Sequence, residues 1–234
     1  MEFIIRSLHR LSARTRRAGF TLVELLTVMA IIAILAGLIL SIAGYAQKKA
    51  ALARAAGEVK ALCSACESYK ADNGTYPRQA LAGVSGTIPS DGLDPKTNGN
   101  SIPNTGSPTL YMQASLELYQ ALTSDTNSNG FAGAPAPAGT RNYLGEGIKP
   151  DMLGRSTMTS PVSTSNPVMY LSDAFGNSYG YSTAGASVLA SGSSQSATSP
   201  GFNATFDLWC TAGLNTNPAL GSGTDPQLQW IKNW

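Results

Sequence analysis

The chain is poor in the groups that carry chemistry. Its single histidine is His9, so everything beyond the first residues lacks an imidazole to act as base or metal ligand. The three cysteines, Cys63, Cys66 and Cys210, are an odd number and close no disulfide framework. Charged residues amount to 13%, about half the usual share. Asp173, Asp207, Asp225 and Glu117 are the carboxylates that a catalytic reading would use. With no histidine, nucleophile motif or metal-ligand spacing beside them, they read as loop and turn polarity, and the chain reads as no enzyme.

Positive charge is scarce outside one segment. Residues 1–19 hold Arg6, Arg10, Arg14, Arg16 and Arg17 against Glu2, a net of +4. The remaining 11 basic and 13 acidic residues leave the rest of the 234-residue chain at −2. That excludes a basic body for nucleic acid. The arginine cluster reads as an address, held on the cytoplasmic side of a membrane by the positive-inside rule.

What the chain does have is a long apolar run. From Leu25 to Ala43, 19 residues pass without a charge or a proline, enough for a helix of about 28 Å, close to the hydrocarbon thickness of a bilayer. The helix should continue: Val59, Leu62, Cys63, Cys66 and Tyr69 recur at helical spacing, with Glu58, Lys60, Glu67 and Lys70 between them. Asp72-Asn73-Gly74 is a fitting stop. The pattern predicts one helix from about Phe20 to Asp72, roughly 80 Å long, apolar all round and then amphipathic.

The remainder is rich in Gly, Pro, Ser, Thr and Asn. Gly83–Pro108 reads as a long loop and Thr109–Thr123 as a short helix, followed by a second loop through Asn127-Ser128-Asn129-Gly130 and Ala134-Pro135-Ala136-Pro137. Val168–Leu171, Ser178–Ser182 and Thr205–Thr211 read as strands, the first two as a hairpin about Asp173-Ala174-Phe175-Gly176-Asn177. Ser191–Pro200 reads as a low-complexity loop. The expected fold is α+β: a long N-terminal helix, its first half transmembrane, its second half packed on a small antiparallel sheet. The expected divisions are a leader over 1–19, a membrane or filament-core helix over 20–46, its amphipathic continuation over 47–72, and an exported loop-rich domain over 73–234.

Four readings compete for the N-terminus. An ordinary secretory signal has a shorter apolar run and a small-residue cleavage site after it, which this chain lacks. A buried helix of a soluble protein does not fit the basic leader. A plain signal anchor, and a signal cut before the apolar segment so that the segment stays in the product, both remain. Glu24 separates them. A carboxylate within an apolar span costs roughly 2.5–3.5 kcal/mol on insertion scales and usually has a partner. If the bond after Gly19 is cut, the new amino group on Phe20 stands about one helical turn from Glu24, and in a packed array Glu24 can face the amino terminus of a neighbouring subunit.

The stretch Arg17-Ala18-Gly19-Phe20-Thr21-Leu22-Val23-Glu24-Leu25-Leu26 closely resembles the prepilin signal of type IV pilins and type II secretion pseudopilins. The resemblance implies cleavage between Gly19 and Phe20 and N-methylation of Phe20 by a membrane prepilin peptidase. It implies an inner-membrane, single-pass precursor with a cytoplasmic N-terminus and a periplasmic or extracellular C-terminal domain. It also implies assembly with identical or related subunits on an inner-membrane platform, the helices leaving membrane lipid to form the filament core. Tyr69-Lys70-Ala71-Asp72-Asn73-Gly74-Thr75-Tyr76-Pro77 looks like the end of the long helix of major, G-type pseudopilins. Asp173–Tyr179 looks like their hairpin turn, with Ala174-Phe175 in place of a Pro-Trp pair; Phe206-Asp207-Leu208-Trp209 resembles their last strand and Ile231-Lys232-Asn233-Trp234 their tail.

Two departures follow. The subfamily holds calcium in an acidic loop after the last strand, whereas here Leu214–Gln227 offers Asp225, Asn215 and Asn217. Calcium wants six to eight oxygens, so a plain polar loop is the favoured reading and no cofactor is expected. The insert over about 80–168 marks a diverged member. Cys63-Ser64-Ala65-Cys66 lies mid-helix rather than at a helix N-terminus and reads as small apolar packing; a bridge from Cys210 to Cys63 or Cys66 is the alternative. The implied function is a pseudopilus subunit for type II secretion. A type IV pilin for adhesion, motility or DNA uptake, and an exported membrane-anchored binding protein, are the alternatives.

Overall fold

A computed structural model describes residues 19–81, 88–97, 109–130, 139, 141–145, 149–156, 160–196, 198–213 and 230–234. The chain divides into two compact units, residues 1–47 and 48–234. Helix α1, Leu22–Asn73, runs through the boundary. Its end is built as the sequence predicts, one residue later than Asp72. Gly74 takes a left-handed φ of 75°, its N–H donates to Lys70 O (2.8 Å), and Asn73 Nδ2 donates to Tyr69 O (2.9 Å). These bonds satisfy carbonyls that the helix end would otherwise leave open.

In the second unit, α2 (Pro89–Gly92) and α3 (Leu110–Thr123) precede the strands. The spacing predicts a helix over Thr109–Thr123. The structure makes Thr109 its N-cap, with Oγ1 accepting from Met112 N–H, and Ser124 its left-handed C-cap at φ 61°. A 3-10 turn at Pro150–Met152 leads into β1 (Leu153–Arg155), which pairs antiparallel with β2 (Val168–Leu171). Strands β3 (Gly180–Ser182), β4 (Asp207–Cys210) and β5 (Ile231–Lys232) form a second antiparallel sheet in that order. Helix α4 (Ala184–Ala190) lies between β3 and β4. The α+β class is as expected.

The expected hairpin is made only at its neck. Ser172 bridges Ser178, Tyr179 N–H donates to Leu171 O (2.9 Å) and Asp173 N–H to Asn177 O (2.7 Å). Beyond that, β2 turns to β1 and β3 to β4. Glycine supplies a reason: a Cβ on Gly180 would run into the Trp209 ring, and one on Gly154 into the Tyr170 ring. Each ring lies flat on the facing strand where no side chain obstructs it.

The core shows why the second half of α1 is amphipathic. Ala55, Val59, Leu62, Ala65 and Cys66 bury themselves against Leu118 and Leu122 of α3 and against Val168, Leu171, Tyr181, Leu208 and Cys210 of the two sheets. Polar ties fix the seam. Arg54 Nε pairs with Glu58 (2.6 Å) and its NH1 with Asp151 (2.7 Å), while Tyr179 OH donates to Glu58 Oε2 (2.6 Å). A smaller cluster gathers Leu93, Tyr111, Ala114, Trp209 and Trp230. Trp209 and Trp230 are buried, and Trp234 stacks on Phe202 with centroids 4.6 Å apart. Trp209 and Trp230 thus belong to this second cluster, and Trp234 packs against it.

Candidate processing and assembly site

Gly19, Phe20 and Thr21 are exposed and non-helical, and α1 begins at Leu22. The start is fixed by side chains. Thr21 N–H and Thr21 Oγ1–H both donate to Glu24 Oε2 (2.9 Å each), and Glu24 N–H donates back to Thr21 Oγ1 (3.2 Å). This reciprocal pattern between the N-cap and the third helical residue is a capping box. It satisfies two donors that the first turn leaves without partners, and it places a carboxylate at the positive end of the helix dipole. The Gly19–Phe20 peptide bond therefore lies just outside the helix, in exposed chain. The Thr-x-x-Glu spacing was readable in the sequence, which otherwise assigns Glu24 only a partner in another molecule. Among the described residues, both bonds fall on Oε2 and none on Oε1.

Behind this start the helix has no polar face. Every large apolar side chain from Leu22 to Tyr45 is exposed, Leu22 by 79% and Leu40 by 76%. The helix is long and apolar enough to cross a membrane, which fits membrane anchoring.

The other sequence-predicted residues do not gather at this site. Cys63, Cys66 and Cys210 are free thiols, and neither bridge from Cys210 is made. Cys210 Sγ donates to Asp173 Oδ2 (3.0 Å) instead. Burial pushes the Cys63 thiol up to about 11, and burial also raises the Cys66 and Cys210 thiols. Such thiols are poor nucleophiles at neutral pH. Asp173 Oδ1 accepts from Phe175 N–H and Asn177 N–H (2.8 Å each), shaping the turn. The Asp207 oxygens accept from Phe202 N–H (2.7 Å) and Asn203 N–H (2.9 Å). Glu117 accepts from Gln79 N–H (2.8 Å) and Ser90 N–H (3.0 Å). These carboxylates organise backbone. Asp225, Asn215 and Asn217 lie outside the described residues.

Comparison with known proteins agrees with this geometry. Residues 14–40 match the family model of the prokaryotic N-terminal methylation motif. Over 64 residues the chain is 38% identical to type II secretion system core protein G of Pseudomonas aeruginosa. That match takes in 27% of this chain and 45% of the relative, so the chain spans less than half the length of the curated relative it matches. No solved structure matches the chain. The chain thus carries a prokaryotic N-terminal methylation motif at a capped helix start and, over 64 residues, is similar to a type II secretion core protein G.

Proposed function

We propose that the chain is a structural subunit of a pseudopilus that serves type II protein secretion. The observation that carries this is Glu24: a carboxylate at the head of a helix with apolar side chains on all sides, one turn from the residue that cleavage would make the first. In this reading residues 1–19 are a leader that stays cytoplasmic, and a prepilin peptidase cuts after Gly19 and methylates Phe20. Residues 20–46 cross the inner membrane once, and 47–72 continue into an exported domain over 73–234. An assembly platform then lifts the subunit out of the lipid. In the filament, apolar helices bury one another, and Glu24 neutralises the Phe20 ammonium of a neighbour. That pair offsets the cost of a lone charge in apolar surroundings and sets the register between subunits. The filament works mechanically, as a growing rod pushing folded cargo.

Mapping the mature N-terminus tests the reading. Mass spectrometry of the protein from a host with prepilin peptidase should give N-methyl-Phe20. A product beginning at Met1, or near Tyr45, overturns it.

A further inference from the structure

Glu117 is the most deeply buried carboxylate among the described residues, with no measurable exposure, and within them it enters no ion pair. It stands at one end of a chain of oxygens. Glu117 Oε1 lies 2.9 Å from Ser90 Oγ, Ser90 Oγ lies 2.7 Å from Thr183 Oγ1, and Thr183 Oγ1 lies 2.8 Å from Asp91 Oδ1. These are three hydrogen-bond contacts. The two hydroxyls between the carboxyl groups bring only two protons, because each Ser or Thr hydroxyl has one to give. The third contact needs a proton on one of the end carboxyls. Asp91 is the wrong end: Arg78 grips both its oxygens, Nε on Oδ1 (2.7 Å) and NH2 on Oδ2 (2.7 Å), and that fork suits a carboxylate.

We propose that Glu117 is a protonated clasp, donating through Ser90 and Thr183 to Asp91, and that loss of this one proton at rising pH loosens α2 and the segment after α1 from α3 and β3. The clasp joins parts distant in sequence. Gln79 N–H and Ser90 N–H donate to Glu117, Thr183 N–H donates to Ser90 O (2.9 Å), and Arg78 also reaches Ser187 of α4 (3.3 Å). The surroundings resist ionisation. Asp91 of α2 is the charged group that opposes a negative Glu117, and the Glu117 charge is in turn felt by Tyr69 of α1, Arg78 and Tyr181 of β3. Helix α4 has no ionisable side chain, and Tyr170 of β2 responds to Asp173 rather than to Glu117. Burial first, and the charge of Asp91 last, push Glu117 from 4.5 up to about 7, against the hydrogen bonds it accepts.

The sign follows from linkage. A carboxyl with a raised folded-state pKa adds stability fully below its unfolded value and loses it as pH rises through about 7. The unfolding constant of the full chain in detergent should therefore rise by up to about 10²-fold between about pH 5 and about pH 8 relative to Glu117→Gln. The glutamine is neutral throughout. It forfeits the acceptor for Gln79, which lowers stability equally at every pH, so the slope is the readout. Infrared spectra of the wild type should show a buried carboxylic acid band at about pH 6 that Glu117→Gln removes, and Ser90→Ala should lower the pH at which it disappears. Parallel stability profiles for wild type and Glu117→Gln, or an acid band unchanged by the glutamine, would overturn the proposal. None of these readouts depends on filament assembly, so they stand apart from the functional reading.

Discussion

From Leu22 to Gln47, α1 exposes every large apolar side chain it has, whereas from Lys48 to Asn73 it sinks Ala55, Val59, Leu62, Ala65 and Cys66 into the core and leaves Lys60, Glu67 and Lys70 outside. The backbone is one regular helix throughout; the difference lies in where apolar surface is removed from water. The second half has a stripe, and a domain of this chain covers it. The first half has no stripe, so no single packed face would satisfy it. It needs a surrounding apolar medium, which lipid or a bundle of like helices can supply.

The strongest break in this comparison would come at Glu24, where the apolar half carries its charge. Glu24→Gln keeps the capping geometry, since glutamine serves at that position of a capping box, but removes the negative charge. Filament yield should fall by more than about tenfold, equivalent to at least about 1.4 kcal/mol of lost contact, with membrane insertion unchanged. Electron microscopy of sheared filaments and membrane fractionation measure the two. Wild-type filament yield in Glu24→Gln would mean that the charge is there for the cap alone.

A matched pair of truncations sharpens the contrast. Leu62→Ala opens a cavity beneath the sheets and should cost about 2–5 kcal/mol, read as a lower thermal midpoint of the body over 48–234. Leu35→Ala removes the same atoms from the exposed half. It should leave that midpoint in place and weaken only membrane partitioning, by roughly 0.8 kcal/mol for each methylene lost. Equal losses of midpoint would erase the distinction.

Sequence and structure meet unevenly along this same division. The helix stop at Asn73-Gly74, the bounds of β2 and the extent of α3 were all legible, because each rests on a local signal: a left-handed glycine, a β-branched and aromatic run, a threonine cap. Strand β1 was not. Leu153-Gly154-Arg155 is three residues with a glycine in the middle and becomes a strand because Tyr170 lies over that glycine, a contact remote in sequence. Helix α4 was hidden for a like reason. Ala184-Gly185-Ala186-Ser187 has little helix signal and Thr183 gives it no side-chain cap, while buried Ala184 and Gly185 anchor it. At the head of α1, Gly19-Phe20 and Glu24 are legible as a motif, whereas the role of Thr21 in the capping box shows only in the Thr21–Glu24 hydrogen bonds.

Thr21→Ala breaks that cap and should have a smaller effect. It removes the hydroxyl that both donates to and accepts from Glu24, at a typical cost of about 1 kcal/mol for a lost N-cap. Amide exchange of the first turn in detergent should accelerate about fivefold, while Thr21→Ser should restore protection. Exchange equal to the wild type's would show that the apolar helix needs no cap.

The smallest effect is expected where α1 leaves the comparison, at its C-terminal end. Arg141 pairs with Asp72 at 2.5 Å, but the Arg141 side chain is 67% exposed, and exposed pairs contribute about 0–1 kcal/mol. The adjacent ring has more hold. Tyr143 packs edge-on against Tyr69 with centroids 5.3 Å apart, its OH accepts from Asn73 Nδ2 (3.0 Å), and its N–H donates to Leu122 O (2.8 Å). Arg141→Ala should thus shift stability by less than about 1 kcal/mol, and the shift should shrink in high salt. Tyr143→Ala should cost more, about 2 kcal/mol for a half-buried aromatic, with no dependence on salt. A larger, salt-sensitive loss at Arg141 would put charge rather than ring packing at the point where the helix hands over to the loop, and would extend to its C-terminal end the role that Glu24 has at its start.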